Sequence, residues 1–185
     1  MPTTKIMVIR HAEKPDQDQG VMPDGTPNPE ALTVSGWRRA GALVGLFAPP
    51  GGHFADPHLA APHAIFASGV AHHSESLRPQ QTVTPLAAKL AFSINTEHRK
   101  GDEAALVQAA TTIGGVVLIA WEHEAIPGIA QLILGSSEGL PKHWPEDRFD
   151  LVWVFDRPDE TGAWRFTQVP QRLLAGDSAD PIPIS

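Results

Sequence analysis

The fold prediction starts from residues 5–15, which read Lys-Ile-Met-Val-Ile-Arg-His-Ala-Glu-Lys-Pro. Their run of four apolar residues is typical of a strand buried on both faces inside a parallel sheet. Pro15 and the polar residues after it predict that the strand gives way to a loop. Arg10 and His11 are therefore expected at the carboxyl end of the strand, the edge of an open α/β sheet where ligands bind. A fixed cation beside an imidazole at that edge suggests an anion site that contains a nucleophile or base.

Strand and helix signals alternate along the rest of the chain. Helices are predicted over 34–47, from 76–82 to residue 90, from 101–103 to about 112 and over 126–134, and strands over 64–67, 92–95, 116–121, 151–155 and 164–169. This order predicts one α/β domain over residues 1–185, with a mostly parallel sheet and helices on both faces. The last two strands are expected to form a hairpin-like pair around 159–162. Residues 176–185, rich in Pro and Asp, are expected to form a loose tail.

Composition limits the classes of function. The 185 residues carry a formal net charge of -7 and contain no cysteine. Disulfides, thiolate metal sites and a cysteine nucleophile are thereby excluded, and the negative charge argues against a nucleic-acid groove. No apolar run approaches membrane-spanning length, so no membrane partner is expected. The N-terminus leads into the first strand without a signal peptide, and we expect a cytoplasmic protein.

Two further strand ends carry residues that suit the anion site. Ser68 follows a short strand and is followed by Arg78, and His123 follows the second strong apolar run. Arginine stays charged and offers a planar fork of donors that matches phosphate oxygens. A neutral histidine has one ring nitrogen free to attack while the other donates a hydrogen bond. Two arginines and a nucleophile would suffice for phosphoryl transfer without a metal.

Four elements, in order, resemble the histidine phosphatase superfamily, which includes phosphoglycerate mutases and phosphohistidine phosphatases. The chain from Lys5 to about Leu134 carries the resemblance. The matching elements are Arg10-His11-Ala12-Glu13, Leu32-Thr33-x-x-Gly36-x-x-Arg39-Ala40, Ala67-Ser68 with Arg78-x-x-Gln81-Thr82, and the strand that ends at His123. The resemblance implies a three-layer α/β sandwich of the phosphoglycerate mutase type.

The resemblance also implies roles for individual residues. His11 would be the nucleophile that becomes phosphorylated, and Arg10, Arg78 and His123 would bind the phosphoryl group, with no cofactor. A carboxylic acid would protonate the leaving oxygen and then help to deprotonate water. Glu103 has about the spacing used in the mutase-like branch and is favoured as this acid. Glu124, beside His123, is the alternative, as in the acid-phosphatase branch.

The sequence departs from the family pattern at Glu122, a position that often carries a small or hydroxylated residue. Two groups contain residue types that bind metals. They are His72, His73 and Glu75, and the three residues 122–124. Neither group has a recognised metal spacing, and solvated loop or strand-end positions are preferred for both. Lys14 is expected to be a solvated loop lysine.

Three functions compete for this set of residues. The first is a metal-independent phosphatase that acts on a small phosphorylated substrate or a phosphoprotein, through a phosphohistidine at His11. The second is a phosphoglycerate-type mutase, ranked lower because the chain lacks a long helical insertion that would enclose the substrate. The third is a phosphate-binding module without turnover. The substrate itself stays open.

Overall fold

The computed structural model describes residues 3–159 and 162–184, and in these residues one six-stranded sheet is flanked by four α-helices. The strands are β1 (Thr3–Arg10), β2 (Ala64–Ala67), β3 (Ile94–Asn95), β4 (Gly115–Trp121), β5 (Leu151–Asp156) and β6 (Arg165–Pro170). The α-helices are α1 (Val34–Phe47), α2 (Arg78–Leu90), α3 (Glu103–Thr112) and α4 (Ile126–Leu134), and a short 3₁₀ turn spans Pro50–Gly52. None of the described helices is both long and apolar enough to cross a membrane.

The strands lie in the order β3-β2-β4-β1-β5-β6. The first four run parallel to their neighbours, β5 is antiparallel to β1, and β6 is antiparallel to β5. The mostly parallel α/β sheet and the terminal antiparallel pair are therefore confirmed. Glu160 and Thr161, in the predicted connection between the last two strands, lie outside the described residues.

Helices cover both faces of the sheet, which explains why the central strands are apolar without interruption. Ile6 and Val8 of β1 pack in a cluster with side chains of α3 and α4. Met7 and Ile9 point to the opposite face and pack with side chains of α1 and α2. All four are fully buried. Because successive strand residues face opposite sides, each side of β1 needs its own apolar layer.

Helix α1 begins at Val34, with Thr33 as its N-cap. Thr33 has extended backbone angles, and its Oγ1 accepts a hydrogen bond from the Gly36 N–H at 3.1 Å. Gly36 faces the loop after β1, and a Cβ at this position would lie 2.6 Å from the Glu13 carbonyl oxygen. The absence of a side chain therefore lets α1 approach the segment that carries His11.

The sequence predicts a loose tail over residues 176–185. In the structure, residues 176–184 are bound to the rest of the domain by hydrogen bonds and apolar packing. Both Asp177 carboxylate oxygens accept hydrogen bonds from Arg39, whose side chain is only 4% exposed. The Ser178 N–H donates to Asp150 at 2.7 Å, and Ile182 is buried in the main apolar cluster. The Pro- and Asp-rich composition was misleading because one aspartate neutralises a buried cation and one isoleucine fills the core.

Candidate active site

The carboxyl ends of β1, β2 and β4 meet at one edge of the sheet. Arg10 of β1 pairs with Trp121 of β4, and Ala67 of β2 pairs with Ala120. The His11 N–H continues this ladder by donating to the Trp121 carbonyl at 2.9 Å. The structure thus brings four of the predicted residues together around a cavity of roughly 230 Å³, while Arg10 is buried and is not part of its lining. Its lining includes His11, Ser68, Arg78 and His123, together with Lys14, Ser74, Ser76, Pro79, Lys100, Glu122, Glu124 and Glu146.

His11 is held as a neutral imidazole. Its side chain is buried, and Nδ1 lies 2.7 Å from the Ala12 carbonyl oxygen, which can only accept a hydrogen bond. Nδ1 therefore carries the proton, and Nε2 keeps its lone pair. Burial lowers the pKa of His11 to about 3, and the charges of Arg10 and Arg78 act in the same direction. At neutral pH the ring has a nitrogen ready to attack an electrophile.

Arg10 is clamped along one edge and free along the other. Its Nη1 donates to the carbonyl oxygens of Glu146 at 2.5 Å and Arg148 at 2.9 Å, and its guanidinium carbon lies 3.9 Å from the centre of the Phe149 ring. The Nε and Nη2 donors are buried without an acceptor. Burial lowers the pKa of Arg10 to about 10, so the group remains charged at neutral pH. Two unpaired donors on one edge of a guanidinium match two oxygens of an anion such as phosphate.

Arg78 supplies a third unpaired donor. It is the first residue of α2, where its Nη1 donates to the Pro29 carbonyl at 3.0 Å and its Nη2 lies 3.7 Å from Glu30. Its Nε is buried and has no acceptor. Burial lowers the pKa of Arg78, and Glu30 opposes that shift. Buried cationic donors normally find partners, so the unpaired nitrogens of Arg10 and Arg78 indicate room for an anionic ligand.

Two residues of the α2 motif hold the loops around His11. The Thr82 hydroxyl accepts a hydrogen bond from the Ala12 N–H at 2.8 Å and donates to the Arg78 carbonyl at 2.7 Å. The Gln81 side-chain oxygen accepts from the Leu32 N–H at 2.8 Å. Thr82 therefore connects the residue after His11 to the first residue of α2, and fixes the nucleophile relative to the arginine.

His123 lies in the same cavity and is half-buried. Burial lowers the pKa of His123, and the positive charge of Arg10 adds to the effect. His123 is thus largely neutral at pH 7 and can donate one hydrogen bond to a bound oxyanion.

Glu103, the residue favoured from the sequence as the acid, is not among the residues that line this cavity. Its Oε1 accepts hydrogen bonds from the Trp121 indole and from the Gly101 N–H, both at 3.0 Å. These hydrogen bonds fix the start of α3 against β4. Glu124, the alternative, does line the cavity, and so does Glu122.

Sequence reasoning missed several polar residues of the cavity. Lys100 Nζ lies 3.2 Å from Glu122 Oε1 and 3.4 Å from Glu124 Oε2. Lys14, which was expected to be solvated, lines the cavity and pairs with Glu146 at 3.2 Å. Lys100 and Glu146 come from loops without motif signals. Only Glu122 had a signal in the sequence, because it directly precedes His123.

A larger cavity of roughly 690 Å³ adjoins the first and shares Lys14 and Glu146 with it. Phe149 and the loop after β1 form much of its lining. A group bound to the arginines would therefore have space beside it for the remainder of a larger molecule.

The two histidines weighed as metal ligands do not form a metal site with other residues. His72 and His73 are exposed, and a ring nitrogen of His73 lies 2.9 Å from the Lys100 carbonyl oxygen. Within residues 3–159 and 162–184, no group of three or more His, Asp or Glu side chains is arranged to hold a metal ion.

Comparison with known proteins identifies relatives by fold. No protein-family model matches the chain, and no curated protein sequence matches it significantly. A mycobacterial glucosyl-3-phosphoglycerate phosphatase is 12% identical with a TM-score of 0.55, over 89% of this chain and 97% of that protein. The protein histidine phosphatase SixA, solved with tungstate, is 16% identical with a TM-score of 0.55, over 90% and 97%. A SixA protein from Agrobacterium tumefaciens is 18% identical with a TM-score of 0.54, over 89% and 96%.

The likeness extends over nearly the whole of both chains in each comparison. The fold expected from the four sequence motifs, the α/β sandwich of the phosphoglycerate mutase-like histidine phosphatases, is therefore confirmed. At identities of 12–18%, the comparison concerns the fold.

Proposed function

We propose that the protein is a metal-independent phosphatase that hydrolyses a phosphomonoester or phosphoamidate through a phosphohistidine at His11. One observation carries the proposal: a buried neutral imidazole stands beside three buried guanidinium N–H donors that have no acceptor. Phosphoryl transfer requires a positioned nucleophile and donors that stabilise charge on the phosphoryl oxygens. Arg10, Arg78 and His123 supply those donors.

The first half-reaction follows from the tautomer of His11. The Nε2 lone pair attacks phosphorus, the bond to the leaving group breaks, and the Ala12 carbonyl stabilises the positive charge that develops on the ring. Water then attacks the phosphohistidine, and inorganic phosphate leaves. The fold relatives support an oxyanion site at this place in the fold, since one was solved with tungstate and another, a mycobacterial phosphatase, with inorganic phosphate.

The test is hydrolysis of para-nitrophenyl phosphate from pH 4 to 8 in the presence of a chelator. We expect the wild type to be active and His11→Ala to lose at least about 10³-fold in kcat, since the nucleophile is removed. Circular dichroism and urea unfolding would check that the variant is folded. A folded His11→Ala protein with wild-type activity would contradict the proposal.

Two controls separate the competing functions. Interconversion of 2- and 3-phosphoglycerate would indicate the mutase. Binding of phosphate in calorimetry, with no hydrolysis of any of a panel of phosphate esters, would indicate a binding module.

A further inference from the structure

The proposed phosphatase needs a proton donor, and the structure leaves Glu103 outside the cavity around His11. Three other carboxylates line that cavity: Glu122, Glu124 and Glu146. Their exposure separates them, because the side chains of Glu124 and Glu146 are 69% and 76% exposed while that of Glu122 is 18% exposed. Glu146 is in addition paired with Lys14 at the rim. Glu122 is the shielded carboxyl of the three.

The sheet places Glu122 beside the nucleophile. Trp121, the last residue of β4, pairs with Arg10 of β1, and its carbonyl accepts the His11 N–H. Glu122 and His11 each follow one of these paired residues. Since neighbouring strands lie about 4.8 Å apart, the backbone positions of Glu122 and His11 are adjacent, and both side chains line the same cavity.

Lys100 fixes the Glu122 side chain from the opposite side. Its Nζ lies 3.2 Å from Glu122 Oε1, and it also approaches Glu124 Oε2 at 3.4 Å. We propose that Glu122 is the general acid and base of this site, and that Lys100 is the positioning residue that holds its carboxyl at the cavity. The assignment rests on the proposed phosphatase function.

Each half-reaction balances with Glu122 in this role. As His11 Nε2 bonds to phosphorus and the bond from phosphorus to the leaving oxygen breaks, the Glu122 O–H proton passes to that oxygen, which leaves as an alcohol. Water then attacks phosphorus, the P–N bond breaks, and the Glu122 carboxylate takes a proton from the water. Inorganic phosphate departs, with His11 neutral and Glu122 protonated again.

The electrostatic surroundings of Glu122 favour its protonated form more than water does. Burial raises the pKa of Glu122, Lys100 opposes this shift, and the negative charges of Glu124 and Glu103 reinforce it. Glu146 differs, because its hydrogen bond and ion pair with Lys14 lower its pKa.

The experiment compares Glu122→Gln with wild type on two esters: para-nitrophenyl phosphate, whose phenolate leaves without a proton, and glycerol phosphate, whose alkoxide needs one. We expect kcat/KM for glycerol phosphate to fall by about 10²-fold or more and that for the nitrophenyl ester by less than about 10-fold. The phosphoenzyme should also accumulate during nitrophenyl phosphate turnover, because the attacking water has lost its base. An equal loss on both esters, or no loss, would overturn the assignment.

Glu124→Gln is the matched control, because it removes the same type of charge from the same lysine. Its losses should be small and alike on both esters; a loss selective for glycerol phosphate would transfer the role to Glu124. Glu122→Asp, which keeps a carboxyl, should retain more glycerol phosphate activity than Glu122→Gln. If Glu122→Gln folds poorly, Glu122→Asp still allows the role of the Glu122 carboxyl to be measured.

Lys100→Met tests the positioning role through the pH profile. Without the cation the pKa of Glu122 rises, so the alkaline limb of kcat/KM for glycerol phosphate should move to higher pH. An unmoved limb would remove Lys100 from the assignment. Failure of the phosphatase proposal has a separate signature: an active His11→Ala variant, or a wild type that hydrolyses neither ester.

Discussion

Among single residues, Arg10 and Arg78 point most directly to an anionic ligand, because they carry buried N–H donors without an acceptor. Arg78→Gln removes the buried Nε donor and the positive charge at the start of α2. We expect kcat/KM for para-nitrophenyl phosphate to fall by about 10²–10³-fold, the usual cost of one transition-state donor, and inhibition by inorganic phosphate to weaken. Arg38→Gln is the control, because Arg38 is exposed on α1 and should leave both quantities unchanged.

The depressed pKa of His11 has a consequence for stability. In the unfolded chain a histidine takes up a proton near pH 6.5, whereas the folded protein keeps His11 neutral down to a pKa of about 3. The unfolded state therefore binds more protons in this window, and the free energy of unfolding falls as the pH drops below 6.5. His11→Gln should lose less stability than wild type between pH 6.5 and 4 in urea unfolding.

Above pH 7 both the folded and the unfolded wild type hold His11 neutral, so there the wild-type and His11→Gln curves should run parallel. If they also run parallel from pH 6.5 to 4, His11 titrates equally in both states and the neutral-imidazole account is wrong.

The sequence could locate some residues of the candidate site and not others. The positions of Arg10, His11, Arg78 and His123 were predictable because each lies at or near the end of an element whose hydrophobic pattern is strong. The position of Glu103 outside the lining of the cavity was not predictable, because sequence spacing carries no information on where a glutamate side chain turns. Glu103 turned to the Trp121 indole, and Glu122 turned to Lys100.

At the scale of elements, the packing of α1 on the loop after β1 gives a pair of contrasting substitutions. A Cβ on Gly36 would lie 2.6 Å from the Glu13 carbonyl oxygen, whereas one on Gly41 of the same helix meets no atom within 4 Å. Gly41→Ala should stabilise the protein by about 0.5–1 kcal/mol, because alanine loses less backbone entropy in a helix.

Gly36→Ala should instead destabilise by about 1–3 kcal/mol, the usual cost of overpacking, and reduce phosphatase activity by shifting the His11 segment. Urea unfolding and nitrophenyl phosphate hydrolysis of the two variants measure both effects. Equal stabilisation by both alanines would contradict the close approach of α1 to this loop.

Most elements were predictable because each has a pattern of its own. Helices α1 and α4 and strand β2 have the predicted bounds, because Pro or Gly residues mark their ends. Helices α2 and α3 begin at Arg78 and Glu103, inside the predicted ranges 76–82 and 101–103. Neither start has a side-chain cap that would have narrowed the prediction. The segment 135–150 had no pattern, yet its carbonyl groups hold Arg10.

At the scale of the whole molecule, one buried ionic network joins the start of the chain to its end. Arg39 on α1 donates to Glu13 at 2.7 Å and to Asp177 at 2.7 Å, with a further bond to Gln171 at 2.9 Å. Burial opposes ionisation of Asp177, but hydrogen bonds from Arg39 and from two backbone N–H groups outweigh it and lower its pKa. The C-terminal segment is thereby tied to the residue two places after His11.

Asp177→Asn should lower the free energy of unfolding at pH 7 by about 2–3 kcal/mol, because it weakens charge-assisted hydrogen bonds to a buried guanidinium. A carboxylate with a lowered pKa stabilises above its ordinary value of 3.8, and the stabilisation is lost as the pH falls through the folded pKa. The difference between wild type and variant should therefore shrink in strong acid. Exposed Asp180→Asn is the control, expected within about 0.5 kcal/mol of wild type.

In the proposed mechanism, His11 carries the phosphoryl group during turnover. The direct measurement mixes the enzyme with para-nitrophenyl phosphate, quenches the reaction in alkali within the first turnovers, and locates the phosphoryl group by peptide mass spectrometry. We expect phosphate on the imidazole of His11, absent in His11→Ala and more abundant in Glu122→Gln. Continued hydrolysis with His11 unmodified, or with the phosphoryl group on another residue, would contradict it.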